Sequence, residues 1–560
     1  MYLSNFLFAP QKLKKATLLL LVSLFVNALK ANEVPNVIVV LVDDMGYSDP
    51  GFMGGESKTP HLKNLAKNGV HFLNCFNNAK CAPSRAALMT GMTCQRVKAF
   101  QSAGNIEKNN ATTIAEVLGQ DGYVTIKSGK WHIEPSPLEV GFQYDFGMSL
   151  GPLYFKKDVL SNPKTLKREG VEVDGHSLPD DWFSTIAYTD YAIEKIEEKA
   201  ISKEKPFFLY LALNAPHFPL SAPKEVVDKY EGVYDGGIDY IREKRYKRMV
   251  DLGIIDPTFL KLPVMNSYKK KTPTWEQFSP KEKRLFKRKL QLVAAMVDVV
   301  DQQIGKLVSF LENKNQLENT VFIFLSDNGA SAETGIYGGC DLDNMTDKEI
   351  DQLGTREGIR GRNNSGPIVA NVQNTPFRED KSSLWEGGMR TSMIVHWPAF
   401  TKNKATQGFQ RAPVCIYDLA PTIYDATGTS YPNQMNGRSL NKMDGVSILP
   451  ILEGKPIDNR YIRFAYQGFR AIRDKNFKLL GSNGLKQVSW SLFNINKDQS
   501  EIENVIQQFP EKAQELISEW DRFDKYANIT MGYKSYKEQK SRKNSKKENK
   551  TKTKNVKKNL

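Results

Sequence analysis

Cysteine and histidine are both scarce in this chain, which holds five of the first and six of the second among 560 residues. Five cysteines (Cys75, Cys81, Cys94, Cys340 and Cys415) over such a length do not make a disulfide framework. Six histidines argue against a dinuclear, His-rich zinc centre. Long apolar runs are missing too: the greasiest stretch, residues 16–26, is shorter than the ~20 residues a membrane-spanning helix needs. A strongly basic body is also absent, although the formal net charge is +15. Residues 534–560 supply +10 of it through twelve Lys/Arg and two Glu, and residues 1–31 supply +4, which leaves +1 for 32–533. A nearly neutral body gives no reason to expect nucleic acid as a partner.

What is present begins with a leader. Lys12, Lys14 and Lys15 stand ahead of the apolar run, and the small residues Ala28 and Ala31 follow it. A basic start, an apolar middle and a small-residue exit describe a secretory signal, so residues 1–31 are read as a signal peptide. An uncleaved N-terminal anchor is the alternative, and either one implies an exported body, whether periplasmic, secreted or lumenal. An odd cysteine count in such a protein leaves one thiol as a candidate for special chemistry. The other end, 534–560, is rich in Lys, Asn, Ser and Thr and lacks the apolar residues needed to fold. It is expected to be a solvated tail, with contact to anionic glycans or surfaces as the alternative. The length between them calls for more than one core. A catalytic domain over 32–455 and a smaller subdomain over 456–533 are expected.

Short apolar runs at 37–42, 122–126, 207–213, 321–325 and 392–396 alternate with helical patterns at 60–68, 83–90, 113–120 and 283–311. This reads as an α/β fold, a large and mostly parallel sheet flanked by helices. From about 455 the pattern changes to short strands at 461–466, 469–473, 477–480 and 490–493 and an amphipathic helix over 510–526, a small antiparallel sheet with one covering helix. The first four runs all exit into polar residues: Asp43-Asp44, Lys130-Trp131-His132, Pro216-His217 and Asp327-Asn328. Ligands of open α/β sheets sit beyond the carboxyl ends of the strands. Four such exits at one sheet edge would make a site.

Cys81 opens the run Cys81-Ala82-Pro83-Ser84-Arg85-Ala86-Ala87-Leu88-Met89-Thr90-Gly91. Proline suits a helix's first turn, so Cys81 is expected just ahead of a helix near Pro83, where N–H groups and Arg85 favour anions. A bare thiol there is expected to be acidified. A buried helix-entry cysteine is the alternative that these residues alone leave open. Asp43, Asp44, Asp327 and Asn328 are hard oxygen donors, which suits calcium, with magnesium possible, and argues against zinc.

These motifs resemble those of the sulfatase family, of alkaline-phosphatase-like fold. The resemblance lies in Cys-x-Pro-Ser-Arg with Leu-x-Thr-Gly behind it, in Gly129-Lys130-Trp131-His132, in Ser326-Asp327-Asn328-Gly329, and in the segment from Lys381 to Arg390 around Trp385-Glu386-Gly387-Gly388. It implies that a formylglycine-generating partner oxidises Cys81 to formylglycine, whose hydrate attacks sulfur. It implies one Ca2+ on Asp43, Asp44, Asp327, Asn328 and the modified Cys81. Arg85 and Lys130 would steady the hydrate, His132 would act as base in the elimination, and His217 with Lys381 would hold the sulfate and protonate the leaving oxygen. His61, His71, His176 and His396 have no such context and are assigned no role. Two departures stand out: Arg378-Glu379-Asp380 replaces the usual Arg-Gly before the late lysine, and Glu134 stands where glycine is usual.

The expected activity is therefore hydrolysis of a sulfate ester, of a carbohydrate or an aryl alcohol. A phosphonate or phosphate-diester hydrolase of the same superfamily and a non-catalytic polysaccharide-binding relative are the alternatives. Basic stretches at 242–248, 269–271 and 281–289 are expected to be solvated faces, with glycan contact as the other reading. The loop 341–374 is expected to border the site.

Overall fold

The computed structural model describes residues 34–529 except 100–104, 268–269, 272, 359–360, 402–406 and 483–487. Residues 1–31, expected to be a signal peptide, residues 534–560, expected to be a solvated tail, and Lys269 lie outside these described residues. Seven principal strands form the middle of an eleven-stranded sheet. They are β1 (Asn36–Asp43), β2 (Val70–Phe76), β3 (Val124–Lys130), β4 (Tyr144–Met148), β5 (Phe207–Pro216), β6 (Thr320–Ser326) and β7 (Arg390–His396). Their order is β2-β7-β6-β1-β5-β3-β4, with β6, β1, β5, β3 and β4 parallel and β7 antiparallel to both its neighbours. All eight residues of β1 are buried. Ile38, Val40 and Val42 face one core while Val37, Val39 and Leu41 face the other, the period-two pattern of a strand covered on both faces.

Helices cover both faces. The longest, α4 (Pro280–Asn313), starts in a capping box in which Ser279 and Glu282 satisfy each other's backbone N–H groups. It packs on α1 (Pro60–Asn68), whose backbone at His61 and Leu62 donates to Asp301. α2 (Cys81–Thr90) is buried at all ten residues and ends at Gly91, which is in the left-handed conformation that suits glycine. α3 (Ile114–Gln120) is capped by Thr113 and Glu116.

The register brings the polar exits together. Val42 pairs with Ser326, so Asp43-Asp44 and Asp327-Asn328 leave adjacent strands side by side. Asp43 pairs with Pro216, one residue before His217. Gly129 pairs with Ala212, which holds Lys130 at the same edge. Gly129 has φ +106°, and a Cβ there would lie 2.0 Å from the Ala212 carbonyl oxygen, so this turn requires glycine.

The C-terminal part is a four-stranded antiparallel meander, β8 (Ile462–Tyr466), β9 (Phe469–Arg473), β10 (Phe477–Gly481) and β11 (Trp490–Asn494), with α5 (Pro510–Ala527). Phe464, Ala471, Leu480 and Phe493 pack on the main body. Ile472, Leu479 and Leu492 pack under Leu516, Trp520 and Phe523 of α5. A buried charge cluster rivets this sheet to the segment carrying Lys381. Lys478 contacts Glu386 at 2.9 Å and Glu501 at 2.6 Å, the Glu386 N–H donates to Glu501, and Arg378 donates to the Glu501 carbonyl.

Several sequence expectations change. The helix begins at Cys81 itself and not near Pro83, because proline is tolerated anywhere in the first turn. The basic stretches are not simply solvated: Arg242, Arg245, Arg288 and Lys289 are buried. Arg245 pairs with Asp49 and Glu56, and Lys289 donates to Asn363, so their charges hold loops in place. All five cysteines are free. Among the described residues no helix is long and apolar enough to cross a membrane.

Candidate active site

At the carboxyl edge of the parallel strands, contacts join Asp43, Asp44, Cys81, Arg85, Lys130, His217, Asp327, Asn328 and Lys381, while His132 follows β3 without a hydrogen bond to them among the described residues. Asp43, Asp44, Cys81 and His217 offer ligand atoms that all lie within 4.8 Å of one another. The Cys81 thiol donates to Asp43 Oδ1 at 3.2 Å. Asn328 Nδ2 donates to Asp44 Oδ1 at 2.6 Å, and the Asp44 N–H donates to Asp327 Oδ1 at 3.3 Å. The sequence reading put His217 at this edge as a sulfate contact and left imidazole out of the metal-ligand set. The structure puts His217 among the oxygen donors, with Nε2 3.6 Å from Asp44 Oδ2.

Three cations face three carboxylates. Arg85 reaches Asp327 Oδ2 through Nε at 2.9 Å and Nη2 at 2.8 Å, and donates from Nη1 to the Lys130 carbonyl. Lys130 bonds Asp43, and Lys381 meets Asp44 Oδ1 at 2.5 Å. These side chains are almost wholly buried, so their charges act in a low dielectric. Burial works to raise the Asp43 carboxyl, and Lys130, His217, Arg85 and Lys381 outweigh it, holding it well below the usual carboxylate range. Burial and the charge of Asp43 push the neighbouring Asp327 carboxyl up.

The Cys81 thiol departs from expectation. Burial, reinforced by Asp43, pushes it up to about 12, against the opposite pull of Lys130 and Lys381. Desolvation beside a carboxylate outweighs the helix start and the nearby cations, so the unmodified thiol is inert. Both site histidines are neutral. Burial, with Lys130 and Arg85, lowers His132 to about 2. Burial lowers His217 to about 4 against the pull of Asp44 and Asp43.

The backbone is strained where the chemistry is. Asp44 and His132 hold φ at 67° and 61°, left-handed values that cost a non-glycine residue roughly 1–3 kcal/mol and cluster at functional sites. Gly329 meets Gly388 through its N–H, and a Cβ on Gly329 would lie 1.8 Å from the Gly387 carbonyl oxygen. This close approach seats the Lys381 segment on the Asp327-Asn328 turn.

The oxygen donors fit a hard cation. Asp44 Oδ2 and Asn328 Oδ1 are buried without a hydrogen-bond partner among the described residues, and both belong to this group. Buried oxygens are normally satisfied. Two open ones beside Asp43 and Asp327 make a cradle of the kind calcium takes. A divalent ion would also tip three cations against three carboxylates to a net positive pocket, which suits an anionic ester.

Comparison with known proteins decides the family. The model described as Sulfatase matches residues 35–429, and that described as N-sulphoglucosamine sulphohydrolase, C-terminal, matches 378–522. The chain belongs to the sulfatase family. It is a sulfuric ester hydrolase. An arylsulfatase of Klebsiella aerogenes is 32% identical over 445 residues, 76% of this chain and 93% of that one. An uncharacterized sulfatase of Schizosaccharomyces pombe is 28% identical over 542 residues, 88% of this chain and 94% of its own. Among solved structures, Ps i-CgsB in complex with k-i-k-neocarrahexaose superposes with a TM-score of 0.61 at 24% identity, covering 88% of this chain and 93% of that one. The large sheet with a small C-terminal antiparallel sheet is thus the fold of this family.

Some contributors left no sequence signal. Tyr154 donates to the carbonyls of Asn214 at 2.8 Å and His217 at 2.5 Å, which fixes the loop that presents the imidazole. Lys80 pairs with Glu333 at 2.6 Å, tying the start of α2 to the loop after Asn328. Neither belongs to a local pattern. Of the loop 341–374, Pro367 and Ile368 reach a cleft beside the site.

Proposed function

We propose that the chain hydrolyses sulfate esters of carbohydrates, with Cys81 matured to formylglycine and Ca2+ held by Asp43, Asp44, Asp327 and Asn328 together with the modified Cys81. The observation that carries this reading is the pair of open buried oxygens, Asp44 Oδ2 and Asn328 Oδ1, facing a thiol ringed by Arg85, Lys130 and Lys381. When bound, the ion and the modified side chain supply electrophilic pull on the ester and the nucleophilic oxygen.

The chain's own residues do the rest. Lys381 and the imidazole of His217 both contact Asp44 and hold the sulfate next to it. His217 Nδ1 faces the Phe218 carbonyl at 2.7 Å, so donation there leaves Nε2 for the pocket. Nε2 is the atom that carries a proton to the leaving oxygen once an anionic ester favours the charged ring. Arg85 and Lys130 hold fixed positive charge where the attacking group sits. His132, neutral and with Nδ1 buried without a hydrogen-bond partner among the described residues, would serve as the base in the release of sulfate. Full burial of the charged groups excludes water and removes the need for them to reorganise.

Carbohydrate is favoured as the alcohol by the structural neighbour bound to neocarrahexaose, and export by the leader. A formylglycine-generating enzyme is the implied maturation partner. Desulfation across a panel of sulfated mono- and oligosaccharides, run beside an aryl sulfate and a phosphate diester, tests the substrate. Turnover of aryl sulfate alone removes the carbohydrate assignment, and preference for the diester removes sulfate. Mass spectrometry of the Cys81 peptide tests the maturation: an active protein with an intact thiol at 81 contradicts it.

A further inference from the structure

A cleft of about 1040 Å³ lies beside the sulfate pocket and shares Lys381 with it. Its walls are apolar: Ile336 on one side, and Trp385, Phe469 and Leu480 where the C-terminal sheet meets the main body. Next to Lys381 it is lined by Glu379 and Asp380. Glu379 is 9% exposed, with the Arg378 charge acting on its carboxyl.

The charge balance of this cleft is unlike that of the sulfate pocket. Lys381 is the one cation among the described residues lining it, and its Nζ is committed to Asp44. Among the described residues that line it there is no arginine or second lysine, and Arg378 of the same segment lies over the Trp385 ring at 4.3 Å. The backbone is also held in a costly form, with Glu379 at φ 63° and Ser382 at φ 75° on either side of Lys381. Glycine would occupy the first position without strain. An acidic side chain kept at a left-handed position, lining a cleft, points to use of that side chain.

Resting on the sulfate-ester reading, we propose that this cleft takes the alcohol half of the ester, and that Glu379 and Asp380 select against a second anion on it. The favoured alcohol carries an apolar face for Trp385 and Phe469, with hydroxyl or amine donors for the two carboxyls. A second sulfate or carboxylate near the cleaved bond meets like charge there, which disfavours it on the order of 10- to 100-fold in kcat/KM.

The charge state gives an independent handle. Burial pushes Glu379 up to about 7, with Arg378 lowering it and Glu501 raising it. Burial pushes Asp380 up to about 8, with Glu379 and Glu333 raising it and Lys80 lowering it. Discrimination against the second anion is therefore strongest above about pH 8, where both are ionised, and fades below about pH 6.

The test uses the matured full chain and two esters differing by one charge, 4-carboxyphenyl sulfate and 4-carbamoylphenyl sulfate. The readout is the ratio of their kcat/KM values, compared between the wild type and the near-isosteric Glu379→Gln, Asp380→Asn and double variants, which cancels intrinsic reactivity. The expected result is that the double variant raises the anionic-to-neutral ratio at least about tenfold above pH 8, and that the wild-type ratio falls as pH rises from 6 to above 8. An unchanged ratio in a folded double variant overturns the inference and leaves the sulfate-ester reading standing. If the variants do not fold, a wild-type ratio flat across that pH range overturns it. Failure of the matured wild type to turn over any sulfate ester instead overturns the reading on which it rests.

Discussion

Two buried charge clusters share one segment of chain, and they differ in what they leave open. Around Lys478, Glu386 and Glu501 close on a single ammonium, with Arg390 3.4 Å from Glu386. At the sheet edge, Asp43, Asp44 and Asp327 face Arg85, Lys130 and Lys381, yet Asp44 Oδ2 and Asn328 Oδ1 have no hydrogen-bond partner among the described residues. Burial is nearly complete in both. Residues 378–390 join them, carrying Lys381 to one cluster and Glu386 to the other. Charges that meet only each other hold a fold together. A cluster that keeps oxygens unmet is built for something that arrives later.

That contrast breaks first at Cys81. Cys81→Ala is expected to remove turnover by about 10³-fold or more, since nucleophile and activating groups act as a unit. The thermal midpoint should stay near that of the wild type, because only a sulfur atom is lost. Activity assays beside a melting curve check this, and retention of more than a few per cent activity would show that position 81 is not the nucleophile.

Lys478→Ala is expected to do the reverse. It strands two buried carboxyls, which costs about 3–5 kcal/mol in breaking a buried pair, read as a lowered urea midpoint. Lys381 sits on the same segment, so kcat per folded molecule should also fall, by a smaller factor. A stability change below about 1 kcal/mol, the range of an exposed pair, would show that the cluster is not clamped.

Calcium should distinguish the two regions directly. At 100 times its dissociation constant a ligand of the folded state adds about 2.7 kcal/mol. The wild type and Lys478→Ala should both gain this from Ca2+, while Asp44→Asn and Asn328→Ala should gain much less. Equal stabilisation of all four by Ca2+, seen in melting curves, would move the ion elsewhere.

The smallest effect is with acid. Burial raises Glu386, but Lys478, Arg390 and Arg473 prevail and hold its carboxyl down to about 2, and Asp43 is likewise held low. A depressed folded value stabilises above the ordinary carboxylate range and is lost as pH falls toward the folded value. The urea midpoint should therefore drop between about pH 4.5 and pH 2, and less steeply in Lys478→Ala. A midpoint independent of pH in that window would contradict the assignment for Glu386.

Much of this was legible before any fold was known. The apolar runs at 37–42 and 321–325 are real strands, because a strand covered on both faces has to be continuously apolar. Residues 461–493 read as a meander because turn residues interrupt short β-rich pieces. Other features were hidden. The raised Cys81 thiol depends on Asp43, 38 positions away, and on complete desolvation, neither of which shows in the local pattern. Arg245 and Lys289 read as surface charges because their partners Asp49 and Asn363 are remote in the chain.

By itself the sequence determined the strand and helix periods, the polar residues that end the strands, and the oxygen-rich, histidine-poor chemistry of the motifs. These depend on residue type and near neighbours. Only the tertiary structure decided that His217 Nε2 comes within 3.6 Å of Asp44 Oδ2, that Asp44 Oδ2 and Asn328 Oδ1 have no hydrogen-bond partner among the described residues, and that Glu379 lines a cleft. Each of those depends on strand register and burial, which bring together residues hundreds of positions apart.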